Sequence, residues 1–184
     1  MLVVVPFRAA GKTRLPAEIR PGLAQAMLED VVESALEVGD VVVVGDPARL
    51  PAGALLVTDP GTGQGAAVAE ALVRADGPAL VVNADLPCAT AAALQRLATA
   101  GAALVAARDG TTNALSLPDP ARFELLYGSG SAARFAALGL TPVVIPELVG
   151  DVDTLDDLER LTLPLGRRTQ LVLNQHKLLP ARAR

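Results

Sequence analysis

Leu23–Val44 reads LAQAMLEDVVESALEVGDVVVV, and this stretch decides the fold. Leu23, Met27, Val31 and Ala35, with Leu28, Val32 and Leu36 beside them, recur at the spacing of a helix with one buried stripe. Gly39 supplies a stop. The run Val41–Val44 is unbroken, apolar and β-branched, as expected of a strand covered on both faces. Upstream, Leu2–Val5 is a similar run, so the chain opens as strand, helix, strand. Downstream the alternation continues. Strands are expected at Leu55–Val57, Leu80–Val82, Leu104–Ala107, Asn113–Leu117 and Val143–Ile145. Helices are expected at Ala66–Ala75, Ala91–Ala98, Ser131–Leu138 and Leu155–Leu161. The pattern predicts an α/β fold with three layers and a mostly parallel central sheet. Periodicity fades from about Thr162. The expectation is therefore a single domain over 1–184 with a C-terminal tail from about 162, in which Arg182 and Arg184 fray.

Composition narrows the function. The chain has 184 residues, about half of them apolar, with three Phe, one Tyr and no Trp. That suits one domain with helices packed on a sheet through Ala, Val and Leu. No apolar run approaches the ~18 residues of a membrane span. Met1–Val5 lacks a basic start and ends at Pro6, so it reads as a strand and not as a signal peptide. Cys88 is the single cysteine, which excludes an intrachain disulfide and fits a reducing cytoplasm. A net charge of −4 argues against a nucleic-acid binder. His176 is the only histidine, which removes most Ser-His-Asp, Cys-His and zinc mechanisms. Nothing in the sequence sets an oligomeric state.

Ligands of open α/β sheets gather beyond the carboxyl ends of the strands, and the polar motifs fall there. Pro6-Phe-Arg-Ala-Ala-Gly-Lys-Thr-Arg-Leu-Pro16 leaves the first strand carrying Arg8, Lys12 and Arg14. Three cations on such a loop suit a nucleotide triphosphate. Gly11-Lys12-Thr13 matches the end of a Walker A loop, but Pro6 occupies the place of its first glycine. The bland alternative is a solvated basic loop. Asp59-Pro60-Gly61-Thr62-Gly63-Gln64-Gly65-Ala66 lies between a strand and a helix, where glycines let a backbone approach a ligand. It also fits a variant dinucleotide fingerprint with Asp85 as the acidic partner, or a plain tight turn.

Asp85 follows the apolar run Leu80–Val82, with Pro87 behind it. It reads as a metal ligand or as a cap for the helix that follows. Cys88 beside it reads as packing. Asp109–Leu115 and Tyr127–Arg134 place Thr112, Gly128, Gly130 and Ser131 where a small carboxylate could be held. Helix capping by Ser129 or Ser131 is the alternative there. In Asp151-Val-Asp-Thr-Leu-Asp-Asp-Leu-Glu159, Thr154 and Asp157 form a capping box. Asp151 and Asp153 precede it and share one face of an extended segment. Two like charges at ~4 Å repel by roughly 4 kcal/mol at an effective dielectric near 20. If the fold joins this pair to Asp85, the all-oxygen cluster calls for a cation, and Mg2+ bridging to phosphate is the usual solution.

These motifs, in this order, resemble the guanylyltransferases of deazaflavin coenzyme F-420 biosynthesis, the 2-phospho-L-lactate and phosphoenolpyruvate guanylyltransferases. The resemblance runs from Leu2 to Leu161. It rests on Lys12-Thr13-Arg14-Leu15, Asp59-Pro60-Gly61, Ala84-Asp85-Leu86-Pro87, Thr112-Asn113-Ala114-Leu115, Gly128-Ser129-Gly130-Ser131 and Asp151-Val152-Asp153-Thr154. It implies a Rossmann-like, GT-A-like nucleotidyltransferase fold. It also implies GTP plus a phosphorylated three-carbon acid giving a guanosine diphosphate-linked product and pyrophosphate. Asp85, Asp151 and Asp153 would carry Mg2+; Thr112, Gly128 and Ser131 would hold the acceptor carboxylate; and Arg8, Lys12, Arg14, Asp59 and Gly61 would face the nucleotide. The catalytic group implied is Lys12, Arg14 and Asp85. The chain departs from the family in a shorter first loop, in Ser129 for an expected Pro, and in Gly63-Gln64-Gly65-Ala66 for Gly-Leu-Asn-Ala. The Ala-rich composition hints at a bacterial member and so at phosphoenolpyruvate. Other readings are a nicotinamide-dependent oxidoreductase using the Gly61 loop and a non-catalytic phosphometabolite binder. A sugar-phosphate or molybdopterin nucleotidyltransferase is a further one.

Overall fold

The computed structural model describes residues 1–8 and 13–178. Strand β1 (Leu2–Phe7) leads to helix α1 (Arg20–Leu36), then β2 (Asp40–Gly45), β3 (Leu55–Val57), α2 (Gln64–Leu72) and β4 (Ala79–Val82). Helix α3 (Ala91–Thr99), β5 (Ala103–Ala106), β6 (Thr112–Leu117) and a 3-10 turn at Pro120–Arg122 follow. The chain ends with α4 (Ser131–Ala137), β7 (Thr141–Pro142), α5 (Pro146–Val149), α6 (Leu155–Arg160) and α7 (Arg167–Gln175).

The seven strands form one sheet in the order β3-β2-β1-β4-β6-β5-β7. Strands β3, β2, β1 and β4 are mutually parallel, β6 runs antiparallel to both β4 and β5, and β7 is parallel to β5. Six strands thus share one direction, as the alternation of runs predicts. The start of β6 therefore lies at the same edge as the ends of β1, β3 and β4. This places Thr112 beside the segment that carries Asp85.

Alternating side chains feed two cores. Val3, Val5, Val41, Val43, Leu80 and Val82 pack with Leu28, Val31 and Val32 of α1 and Leu94 and Leu97 of α3. Val4, Val42, Val44 and Val81 pack on the other face with Val68, Ala71 and Leu72 of α2 and Phe135 of α4. A third cluster joins Leu23 and Met27 of α1 to Val152, Leu158, Leu161, Leu165 and Leu173, outside the sheet. At Gly39 a Cβ would lie 2.1 Å from the carbonyl oxygen of Met1, so the crossing of the chain end over the α1–β2 turn requires glycine.

Two expectations need correction. Val143–Ile145 is not a strand. The edge strand is Thr141–Pro142, one further bond runs from Val143 N–H to Leu104 O (2.9 Å), and Val144 is exposed. Pro146 then opens α5, so the apolar run is cut short by the prolines at both ends. Beyond Thr162 the chain is not a structureless tail, because α7 packs on α1 and contributes Leu173 to the third cluster. Arg182 and Arg184 lie outside the described residues.

Candidate active site

Asp85 sits three residues beyond β4, held by the buried Leu86. It does not cap α3: that helix has its own cap in Thr90, which accepts from Ala93 N–H at 3.2 Å. Asp151 and Asp153 flank the fully buried Val152, so both carboxylates turn away from the core. Val152 N–H donates to Asp85 O at 3.1 Å, which ties the two segments together. One oxygen from each of Asp85, Asp151 and Asp153 lies within 4.8 Å of the others, and all three residues are half-buried. Their convergence is the arrangement expected from the sequence.

The capping box also forms. Asp157 Oδ2 accepts from Thr154 N–H (2.8 Å) and Asp153 N–H (3.1 Å), and Thr154 Oγ1 accepts from Asp157 N–H (3.2 Å). Asp157 is thereby occupied with the helix start, and Asp151 and Asp153 stay outside the box. A hard, all-oxygen set at this spacing fits a small divalent cation. Octahedral Mg2+ with bonds of ~2.1 Å places its oxygen ligands roughly 3 to 4 Å apart. A structural residue supports the cluster. Asn113, buried in β6, donates from Nδ2 to Leu148 O and Val149 O (both 3.0 Å) and to Asp151 Oδ1 (3.4 Å).

Beside the aspartates lies a cleft of about 240 Å³, lined by Arg8, Asp59, Gln64, Asn83 and Asp85 among others. Arg8 Nη2 pairs with Asp59 Oδ2 at 2.8 Å, and Asp59 Oδ1 accepts from Gly61 N–H at 2.8 Å. The hydrogen bond from Arg8, reinforced by that from Gly61, holds the Asp59 carboxyl below its usual range. Two expected nucleotide-side residues are thus bonded to each other at the wall of the cleft. Gly61 has φ 79°, which the turn over Asp59 requires.

Lys12 lies outside the described residues. Arg14 is exposed and within electrostatic reach of Asp109 in the β5–β6 hairpin. Arg20, which no sequence signal singled out, grips the loop by donating to Thr13 O (3.1 Å) and Leu15 O (2.9 and 3.2 Å).

The Thr112 and Ser131 hydroxyls meet at 2.9 Å, both buried. Neither Ser129 nor Ser131 caps α4. Its N-cap is Gly130 (φ 70°), without a side-chain bond. Gly128, with φ 112°, precedes it. The loop is folded by Arg134, also unforeseen, which donates to Leu126 O (2.8 and 3.2 Å) and Ser129 O (2.7 Å). Cys88 is buried among apolar neighbours and is a packing residue.

Sheet order and a carboxylate cluster at the strand ends define a nucleotidyltransferase-type α/β domain, and the comparisons agree. A family model for the MobA-like NTP transferase domain matches residues 19–177. The 2-phospho-L-lactate guanylyltransferase of Methanoregula boonei is 33% identical over 86% of this chain and 80% of its own length. The phosphoenolpyruvate guanylyltransferase of Streptomyces scabiei is 36% identical over 91% and 93%. Among solved structures, a nucleotidyl transferase from Methanothermobacter thermautotroptrophicus superposes with a TM-score of 0.63 at 16% identity, covering 95% of this chain and 99% of that one.

The chain belongs to the MobA-like NTP transferases and, within them, to the family of 2-phospho-L-lactate and phosphoenolpyruvate guanylyltransferases. The oxidoreductase reading finds no support. Gly61 does follow the first strand of a parallel β3–α2–β4 unit, but β2 and β1 stand between those two strands, and Asp85 groups with Asp151 and Asp153. Among the described residues no helix is long and apolar enough to cross a membrane.

Proposed function

We propose that this protein is a guanylyltransferase that condenses GTP with phosphoenolpyruvate, or with 2-phospho-L-lactate, to a guanosine diphosphate-linked three-carbon acid and pyrophosphate. The step belongs to coenzyme F-420 biosynthesis and takes place in the cytoplasm. The observation that carries this reading is the meeting of Asp85, which lines the cleft, with Asp151 and Asp153. The family names of its relatives support the same reaction class.

The acceptor's phosphate oxygen attacks the α-phosphorus of GTP, and pyrophosphate leaves in line. A phosphate monoester is already nucleophilic at neutral pH, so no strong base is needed. The single histidine agrees with this, since His176 ends α7 as an exposed residue. Asp85, Asp151 and Asp153 would hold Mg2+, which would supply positive charge to offset that of the phosphates. The chain's own work is positioning. Lys12 and Arg14 face the nucleotide phosphates, with Arg20 fixing the loop that bears Arg14. Arg8, Asp59 and Gly61 form the nucleotide-side wall. Gly128 and the hydroxyls of Thr112 and Ser131 bind the acceptor carboxylate. The test is pyrophosphate release with GTP or ATP against each acceptor acid, with and without Mg2+. Release only with GTP, an acceptor and Mg2+ is the expected result. Release independent of the acceptor, or none with either acid, rejects the proposal.

A further inference from the structure

Gln64 opens α2 and lines the cleft. A chain of hydrogen bonds fixes which end of its amide faces the ligand. Thr112 O is a backbone carbonyl and can only accept. Asn83 must therefore present Nδ2 to it, and does so at 3.1 Å. That leaves Asn83 Oδ1 as an acceptor, and Gln64 fills it with Nε2 at 2.7 Å. The backbone of Asn83 is stitched to the same strand, with its N–H on Asn113 O at 2.9 Å, so the amide has a rigid base. No described residue donates to Gln64 Oε1, so in this residue of the cleft lining the amide keeps an acceptor that cannot be exchanged for the NH2 end without breaking the network.

A fixed acceptor recognises a donor. A nucleoside triphosphate brings two kinds, the ribose hydroxyls and base N–H groups. Asn83 lies two residues before Asp85, at the turn that follows β4, and Gln64, Asn83 and Asp85 line the same cleft. If the aspartates stand at the phosphates, the nucleotide group that adjoins the phosphates is the ribose.

We propose that Gln64 Oε1 accepts a hydrogen bond from a ribose hydroxyl of the bound nucleotide and makes this enzyme select ribonucleotides over deoxyribonucleotides. The inference rests on the nucleotide occupying this cleft, as in the guanylyltransferase reading, but its test does not need turnover. The affinities of GTP, 2′-deoxy-GTP, 3′-deoxy-GTP and inosine triphosphate are measured by titration calorimetry with Mg2+ on the full chain, for the wild type and Gln64→Met.

The wild type should bind GTP roughly five- to thirtyfold more tightly than one of the deoxy analogues, the worth of a well-placed hydrogen bond. Gln64→Met should bring that ratio to within about twofold. Equal wild-type affinity for GTP and both deoxy analogues overturns the proposal without need of any variant. So does a ratio that survives Gln64→Met, or one lost against inosine triphosphate instead, which would assign the contact to the base. No GTP binding by the wild type overturns it together with the function. Binding without pyrophosphate release rejects the function alone.

Discussion

Asn113 holds Asp151 in place from the far side of the sheet edge, through its bonds to Leu148 O and Val149 O at 3.0 Å and to Asp151 Oδ1 at 3.4 Å. One buried amide thus closes the turn after α5 and aims a carboxylate. Asn113→Ala leaves two carbonyls without that donor, at a cost of about 1–3 kcal/mol. It should weaken Mn2+ binding about tenfold or more, as loss of a group orienting a ligand does. Urea unfolding and a metal titration of the same variant read the two effects separately. Mn2+ affinity equal to the wild type would deny Asn113 its orienting part.

Asp151→Asn tests the cluster directly. The substitution keeps size and hydrogen-bonding reach and removes one charge. It should abolish pyrophosphate release while the thermal transition stays at or above that of the wild type, because mutual repulsion among three carboxylates is relieved. A variant that turns over at the wild-type rate would reject the metal assignment.

The legible part of the fold was the part written locally. Strands β1, β2, β4 and β5 each carry their own apolar run, and β3 falls on the expected residues, Leu55–Val57. Asp151 and Asp153 stood out because the capping box accounts for Asp157 and not for them. What could not be read is set by partners distant in sequence. Arg20 and Arg134 clamp backbone carbonyls, and no pattern distinguishes such an arginine from a solvated one. Asn113 and Asn83 lay in recognised motifs, yet their roles depend on β6 running antiparallel beside β4. Val143–Ile145 has the composition of a strand, and only the adjoining prolines stop it from being one. Helix α7 buries just Thr169 and Leu173, too few for a periodic signal.

Helix α7 is held by a cap from another helix. Asp30 of α1 accepts from Arg168 N–H (3.0 Å) and Thr169 N–H (2.9 Å), the orphan donors of a helix whose own N-cap, Gly166, has no side chain. Arg168 returns to α1 through Glu29 (2.9 Å) and Glu33. Asp30→Ala should cost about 1–2 kcal/mol, within the range for a lost cap, and expose Arg167 and Arg168 to trypsin. Gly166→Ala should act the same way for a steric reason. Its φ of −59° suits any residue, but a Cβ would lie 2.3 Å from Asp30 Cγ. Urea midpoints and the rate of tryptic cleavage check both. Unchanged values in both variants would show that the Asp30 cap does not hold the helix.

Cys88 gives a prediction in pH. Burial, with a smaller contribution from the charge of Glu147, pushes its thiol up to about 11 from an ordinary value of 9.0. At pH 8, below both values, the folded protein then carries roughly a hundredfold less thiolate than an exposed cysteine, and thiolate is the species that alkylates. Iodoacetamide should label the native protein at least that much more slowly than the urea-unfolded chain. The same shift bears on stability. A thiol whose value is raised on folding favours the folded state fully below the unfolded value, near 9, and that contribution is lost as pH climbs towards about 11. Unfolding midpoints from pH 8 to 11 should therefore fall more steeply in the wild type than in Cys88→Ala, which has no proton to lose at that position. Parallel curves, or native labelling as fast as unfolded, would mean that the thiol is open to solvent.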